Sequence, residues 1–330
     1  MKNKFFTREI CVCAYLTQTR YAQKTCAEMR INMKLDYETL NRLHYTILNT
    51  YPNVYSLIIY KDEEIVFEEY YKNSLRDDAR DVMSVSKSII SALMGIAIAN
   101  GAIKDENVRV LDFFPDCLNA DSDPNILRLR IKHILTMTSG LYYLRLAGDS
   151  QPVAERRKSS DNWVKYMLDL PVKHPDLSTF CYSNFDADLC AAIIHTAIKE
   201  DLYDYADRYL FSKLEMEVPR WNYIDPNGLI PENIRIKTRD MVKFGQLYLQ
   251  NGYWNEELVL PSEWIKKSCK NYGNNYGYLW WIDGDTYFAS GSGGSLIWII
   301  PSENAVVAAQ AKGLKTNWKS PMTAVKNICF

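Results

Sequence analysis

The apolar positions of this 330-residue chain change texture twice. Val54-Tyr55-Ser56-Leu57-Ile58-Ile59-Tyr60 is dense in strand formers, breaks at the polar turn Lys61-Asp62-Glu63-Glu64, and resumes at Ile65-Val66-Phe67. Two such runs joined by a short polar turn predict an antiparallel hairpin. The same texture returns near the far end, where Tyr287 to Ser290, Leu296 to Ile300 and Ala305 to Ala311 are separated by Gly-rich and Pro-Ser-Glu-Asn turns. Between them, from about 85 to 265, the spacing is helical. Ser88 to Asn100 is apolar on nearly all sides and stops at Gly101, which predicts a buried helix. Asp186 to Ile198 and Arg239 to Leu249 predict two more. The expectation is an α+β chain: an antiparallel sheet of about five strands from both ends, flanked by helices, with a mainly helical lobe between. The sheet lobe would take about 35–83 and 266–330 and the helical lobe about 84–265, as a single unit 35–330. A cleft between lobes is a preferred ligand site.

Composition removes several classes of function. At 47% hydrophobic and 24% charged residues, the chain has the make-up of a globular protein, not a disordered or collagen-like one. Lys and Arg number 39 against 40 Asp and Glu, so the basic footprint of a nucleic-acid binder is absent. The longest apolar run, Ile89 to Ala99, is broken by Ser91 and falls short of the ~20 residues of a membrane span. Eight cysteines form no C-x-x-C pair and four histidines are scattered, so neither a metal nor another cofactor is expected. Reduced, mostly buried thiols are the simpler reading. Residues 1–34 carry seven Lys or Arg and two Glu, +5 net, leaving −6 for the rest. Ile10 to Leu16 sits at the short edge of the ~7–15 apolar residues of a secretory signal. The segment is therefore read as a poorly ordered basic tail. That makes the cytoplasm the expected compartment, with secretion or a periplasmic location left open.

Candidate chemistry begins at Ser84-x-x-Lys87, the one S-x-x-K in the chain. If Ser84 starts the buried helix, Lys87 lies one turn on, on the same face. A serine hydroxyl becomes a nucleophile only when a nearby base takes its proton, and a desolvated lysine amine can serve. The helix start also offers free N–H groups to a developing oxyanion. A capping serine and a surface lysine are the ordinary alternatives. Against them, Lys87 is the lone charge between Asp81 and Lys104, and burying it requires partners.

Two further segments qualify. Tyr182-Ser183-Asn184 precedes a predicted helix and could supply a phenol for proton transfer and an amide for orientation. The pattern is weak, because Tyr71-Lys72-Asn73 and Tyr272-Gly273-Asn274 also fit it. Ser160-Asp161-Asn162, a literal S-D-N, is read instead as the start of the helix Trp163 to Leu168, capped by Ser160 or Asp161. Ala289-Ser290-Gly291-Ser292-Gly293-Gly294-Ser295 joins two predicted strands. No helix follows, which removes a dinucleotide loop. Either it is a flexible hairpin or its glycines let a strand edge approach a substrate carbonyl, with one N–H, that of Ser292, aimed at the oxygen.

In that order these signals resemble the serine β-lactamase and penicillin-binding-protein superfamily, and most of all the class C β-lactamase-related hydrolases. Those include esterases, D-aminopeptidases and 6-aminohexanoate-dimer hydrolases. Ile131 to Leu141 is similar to the family's hxLLTHTSGL stretch, Phe180 to Asn184 to FxYSN, Arg239 to Leu249 to RDMARFGQLYL, and Tyr276 to Trp281 to YGYGWW. The resemblance spans about 40–312. It implies that Ser84 is the acyl-accepting nucleophile, that Lys87 and Tyr182 share proton transfer, and that Asn184 orients Lys87 and substrate. It also implies that Ser290 and Gly291 line the substrate and that the backbone N–H groups of Ser84 and Ser292 form an oxyanion hole. The chain departs from the family at the third motif, with Ala289 where β-lactamases and D,D-peptidases carry Lys or His. Losing that cation favours an ester or amide without a carboxylate, the more so if Tyr276, Tyr278, Trp280, Trp281 or Tyr287 lines the cleft. A β-lactamase or D,D-peptidase would need a cation from elsewhere, and a non-catalytic binding protein on this scaffold is the third reading.

Overall fold

The computed structural model describes residues 35–118, 122–141, 155, 157–313 and 320–330; the basic segment 1–34 lies outside them. The described residues up to Pro52 together with Pro321–Phe330 form one compact unit, and those of Asn53–Ser320 form another. In the first, helix α1 (Tyr37–Thr50) is capped by Asp36, whose carboxylate accepts the Thr39 N–H at 2.8 Å. It packs on the C-terminal helix Met322–Cys329.

The second unit is built on a six-stranded antiparallel sheet. Strands β1 (Val54–Lys61) and β2 (Glu64–Tyr70) form the expected hairpin. Its two turn residues, Asp62 (φ 49°) and Glu63 (φ 70°), take the left-handed conformation that matches the twist of paired strands. The remaining strands are β3 (Trp281–Asp283), β4 (Thr286–Ser290), β5 (Leu296–Ile300) and β6 (Ala305–Ala311). The order is β2-β1-β6-β5-β4-β3. β5 and β6 are buried along their whole length, as continuous apolar strands at a sheet centre must be. β3 is the strand that the expectation of about five leaves out. It is an edge strand of three residues, closed onto β4 by a tight turn at Gly284 (φ 63°).

Helix α2 (Ser86–Ala99) is the predicted buried helix, and eleven of its fourteen residues are buried. Short α3 (Ile131–Leu135) and α4 (Trp163–Leu168) follow. Helix α5 (Asn184–Ile198) packs along α2. α6 (Leu202–Ala206) leads on to α7 (Thr238–Leu249), which lies across β1, β5 and β6. α8 (Ser262–Ser268) presses Trp264 onto Gly95 of α2 so closely that a Cβ there would overlap the indole. One cap differs from expectation. Asn162, not Ser160 or Asp161, starts α4, its side chain accepting the Lys165 N–H at 2.9 Å. Ser160 is spent one step earlier, its hydroxyl bonded to both the N–H and the carbonyl of Asn162. That local turn moves the cap two residues down the chain.

Among the described residues, no helix is long and apolar enough to cross a membrane. Gly245 sets the distance between α7 and the sheet, since a Cβ there would overlap Val306 and crowd Ile297. Gly245→Val should therefore lower stability by about 1–3 kcal/mol in urea unfolding, the usual cost of overpacking. An unchanged midpoint would contradict this packing.

Candidate active site

Ser84 does not start α2. It sits half-buried in a 3₁₀ turn, Met83–Val85, that feeds the helix. The turn is tied down on both sides. The Asp81 carboxylate accepts the Met83 N–H at 2.7 Å, and Ser86 Oγ donates to the Met83 carbonyl at 2.6 Å. Met83 itself takes φ 54°, a conformation costly for a residue with a Cβ. Such strain persists only where the surroundings over-determine it.

One turn on, Lys87 is 8% exposed, and its Nζ lies 3.0 Å from Ser84 Oγ. The Nζ also stands 5.3 Å from the centre of the Tyr182 ring. Below it, α5 presents Asp188, ion-paired with the buried Arg157. Burial pushes the Asp188 carboxyl up, while Arg157 and, more weakly, Lys87 pull it back. Arg157 in turn lies over Trp163 at 4.1 Å and Phe185 at 4.7 Å, which fills the space around its charge with ring faces.

Tyr182 is held by its neighbours in sequence. The Cys181 N–H donates to the Met137 carbonyl at 2.8 Å, and the Ser183 N–H points at Met137 Sδ at 3.3 Å. Ser183 caps α5, leaving Asn184 exposed on the first turn. The Tyr182 ring stacks on the indole of Trp281 (5.6 Å, 18°) and meets Tyr276 edge-on at 6.2 Å. Phe288 continues the stack behind Trp281. Of the five aromatics considered for the cleft, Tyr276, Tyr278, Trp280 and Tyr287 are buried, and Trp281 alone is half-exposed at Tyr182.

The glycine-rich strand end closes the site from the sheet side. Gly291 abuts the backbone just before Ser84, and a Cβ on it would overlap the Val82 carbonyl oxygen. The loop then folds back, with the Gly291 N–H on the Ser295 carbonyl at 2.8 Å and Ser292 exposed at its tip. Ala289 precedes this loop on β4. It is 1% exposed, opposite Ile297 and on the same strand face as Tyr287, whose hydroxyl donates to the Tyr248 carbonyl of α7. An uncharged methyl group thus stands two residues before Gly291, the residue that meets the serine turn.

The structure thus brings Ser84, Lys87 and Tyr182 together, sets Ser290 and Gly291 beside the serine turn, and uses Asn162 of the S-D-N triplet as a helix cap. Sequence reasoning missed Asp186, Ser139, Arg157 and Asp188. Asp186 is fully buried, accepts from Ser139 Oγ at 2.7 Å, and its second oxygen has no partner among the described residues. The signal was present: acids on an otherwise apolar helix, the same anomaly that singled out Lys87.

A strained turn carrying a serine, a buried lysine one helical turn on and a tyrosine ring before a second helix thus meet in one place. Residues 53–326 match the beta-lactamase family, and the chain belongs to that family. It is 21% identical over 299 residues to the 6-aminohexanoate-dimer hydrolase of Paenarthrobacter ureafaciens, covering 81% of this chain and 74% of that one. Among solved structures it is similar to EstCE1, a hydrolase with promiscuous acyltransferase activity (TM-score 0.69, 13% identity, 91% of this chain and 99% of that one). It is also similar to a penicillin-binding protein from Bacillus halodurans (TM-score 0.65, 15% identity, 87% and 98%).

Burial holds the Asp186 carboxyl well above the usual carboxylate range. In the unfolded chain an Asp releases its proton near pH ~4, whereas in the fold the proton stays on to much higher pH. Stability is therefore lost as pH rises through that window. Asp186→Asn keeps a neutral acceptor for Ser139 and cannot ionise. Its stability relative to the parent should rise between about pH 5 and about pH 8 in urea unfolding. A pH-independent difference would contradict the burial argument.

Proposed function

We propose that this chain is a serine hydrolase that cleaves an ester or amide bond through an acyl-enzyme on Ser84. The observation that carries the reading is the 3.0 Å contact between the buried Lys87 amine and Ser84 Oγ, with the Tyr182 ring beside it. The contact is short enough for proton transfer, and burial keeps water from competing for it.

Lys87 and Tyr182 together take the Ser84 proton as Oγ attacks the substrate carbonyl carbon. The charge that develops on the carbonyl oxygen is received by the backbone N–H groups of Ser84 and Ser292. Tyr182 returns the proton to the leaving alcohol or amine, and the acyl group stays on Ser84. Water then attacks that ester, giving its proton to Tyr182, and Ser84 leaves with a proton restored through Lys87. Asn184 orients Lys87 and the substrate, while Ser290 and Gly291 form the sheet-side wall. No cofactor enters the scheme. The similarity to a 6-aminohexanoate-dimer hydrolase and to EstCE1 supports hydrolysis as the reaction class.

Two sets of variants test this with p-nitrophenyl butyrate as substrate. Ser84 Oγ caps no helix, so Ser84→Ala should stay folded and lose all turnover. Tyr182→Phe keeps the ring on Trp281 but deletes the transferable proton, and should lower kcat by about 10²–10⁴-fold. Asp161→Ala, in the triplet spent on a helix start, should hydrolyse as the parent does. Turnover surviving in Ser84→Ala, or lost in Asp161→Ala with Tyr182→Phe intact, contradicts the assignment.

The glycine at the strand end gives a separate test. Gly291→Ala pushes a methyl group at the Val82 carbonyl and must shift the turn that carries Ser84. A displacement of about 1 Å costs on the order of 10²-fold in rate. Parent-like kcat/KM in this variant would show that the close approach does not position the serine.

A further inference from the structure

Ser139 and Asp186 form a polar pair where the core would accept an apolar one. Both are buried, Ser139 Oγ donates to one Asp186 oxygen at 2.7 Å, and the other oxygen has no partner among the described residues. An unpaired polar atom in the interior is unfavourable, and two apolar side chains of similar size would remove it. Stability alone would favour that replacement, so the pair calls for an explanation in its position.

That position is beside the two anchors of Tyr182. The Met137 carbonyl accepts the Cys181 N–H at 2.8 Å, and Met137 Sδ lies 3.3 Å from the Ser183 N–H, so the residues before and after Tyr182 both hang on Met137. Ser183 then caps α5, and Asp186 stands on its first turn. Ser139 Oγ joins the two anchors. It donates to Asp186, accepts the Leu141 N–H at 3.2 Å, and so holds the Met137 turn against the start of α5. Met137 takes φ 57°, a conformation that persists only where outside contacts hold it.

The same segment also reaches the lysine. The Leu135 carbonyl accepts the Leu279 N–H at 3.0 Å, and the Leu279 carbonyl accepts Ser88 Oγ at 2.7 Å. Ser88 follows Lys87 on α2. Residues 135–139 are therefore tied at one end to the helix that carries the amine and at the other to the segment that carries the phenol. Of these links, the Ser139–Asp186 bond is the one made between two side chains, so a substitution can open or close it. From this geometry we infer that Ser139 and Asp186 are positioning residues, whose bond sets where the Tyr182 hydroxyl stands relative to Lys87 and Ser84. Its kinetic consequence rests on the acyl-enzyme reading above, whereas the placement of Tyr182 is measurable without turnover. Misplacing a reacting group by about 1 Å lowers a rate on the order of 10²-fold.

The test replaces the pair by apolar side chains. Ser139→Ala combined with Asp186→Leu removes the bond and the unpaired oxygen together, and at neutral pH should unfold at no lower urea concentration than the parent. Its kcat for p-nitrophenyl butyrate should nevertheless fall by about 10–10²-fold, with KM within about threefold. Asp186→Asn alone, which keeps an acceptor for Ser139, should hold kcat near the parent value. In a Tyr182→Phe background the apolar pair should cause no further loss, because the hydroxyl it displaces is already gone; a general loosening of the site would lower kcat in both backgrounds alike. Parent-like kcat in the folded double variant, or equal losses in both backgrounds, overturns the inference. If the double variant does not fold, Ser139→Ala alone takes its place in the same comparison. Fluorine NMR of 3-fluorotyrosine at position 182 needs no turnover: one narrow line in the parent and in Asp186→Asn should shift or broaden in Ser139→Ala. An unchanged line overturns the inference whatever the protein hydrolyses, while turnover surviving in Ser84→Ala removes the hydrolase reading alone.

Discussion

A buried amine on an apolar helix constrains everything around it. Moving an ammonium out of water costs several kcal/mol unless polar groups and ring faces replace its hydration. α2 has one side chain that needs such replacement. The fold meets the need from three directions: Ser84 Oγ from the preceding turn, the Tyr182 ring from the start of α5, and the field of Asp188 from within α5. Asp188 is itself paired with Arg157, and Arg157 lies over two aromatic faces. The contact between lysine and serine is thus the inner end of a chain of compensations that runs across the helical half of the unit.

Backbone close approaches fix where that contact sits. Gly291 brings the end of β4 against the Val82 carbonyl, and the strained Met83 turn is pinned between Asp81 and Ser86. On the other side, the Tyr182 segment hangs from Met137 (φ 57°), and Ser139, two residues further, bonds the buried Asp186. Three stretches far apart in sequence therefore meet through main-chain geometry, and their side chains can be short because the backbones are close.

Much of this was legible in the sequence. The strands Leu296–Ile300 and Ala305–Ala311 were readable to the residue, because fully buried strands are unbroken apolar runs between turn formers. α2 announced itself by its apolar surface and Lys87 by breaking it. What stayed hidden depends on tertiary context. β3 is three residues long, and its one signal was the Asp283-Gly284 turn. The direction of Ala289 follows from strand register, set by the pairing of Tyr287 with Ile299 and of Ala289 with Ile297, and not by motif position. The cap at Asn162 depended on how Ser160 spends its hydroxyl. Arg80 and Arg235, far apart in sequence, meet only through a two-residue ladder that no local pattern announces.

The account turns on whether the Lys87 contact makes Ser84 a nucleophile, and acyl transfer to the protein measures that most directly. Rapid mixing with p-nitrophenyl acetate, acid quench and peptide mass spectrometry should place one acetyl group on the peptide that contains Ser84. Lys87→Met, which keeps the length of the side chain and removes the amine, should show no such label on the same time scale. An acetyl group found on another side chain, or Ser84 acylated as fast without the lysine as with it, would contradict the account.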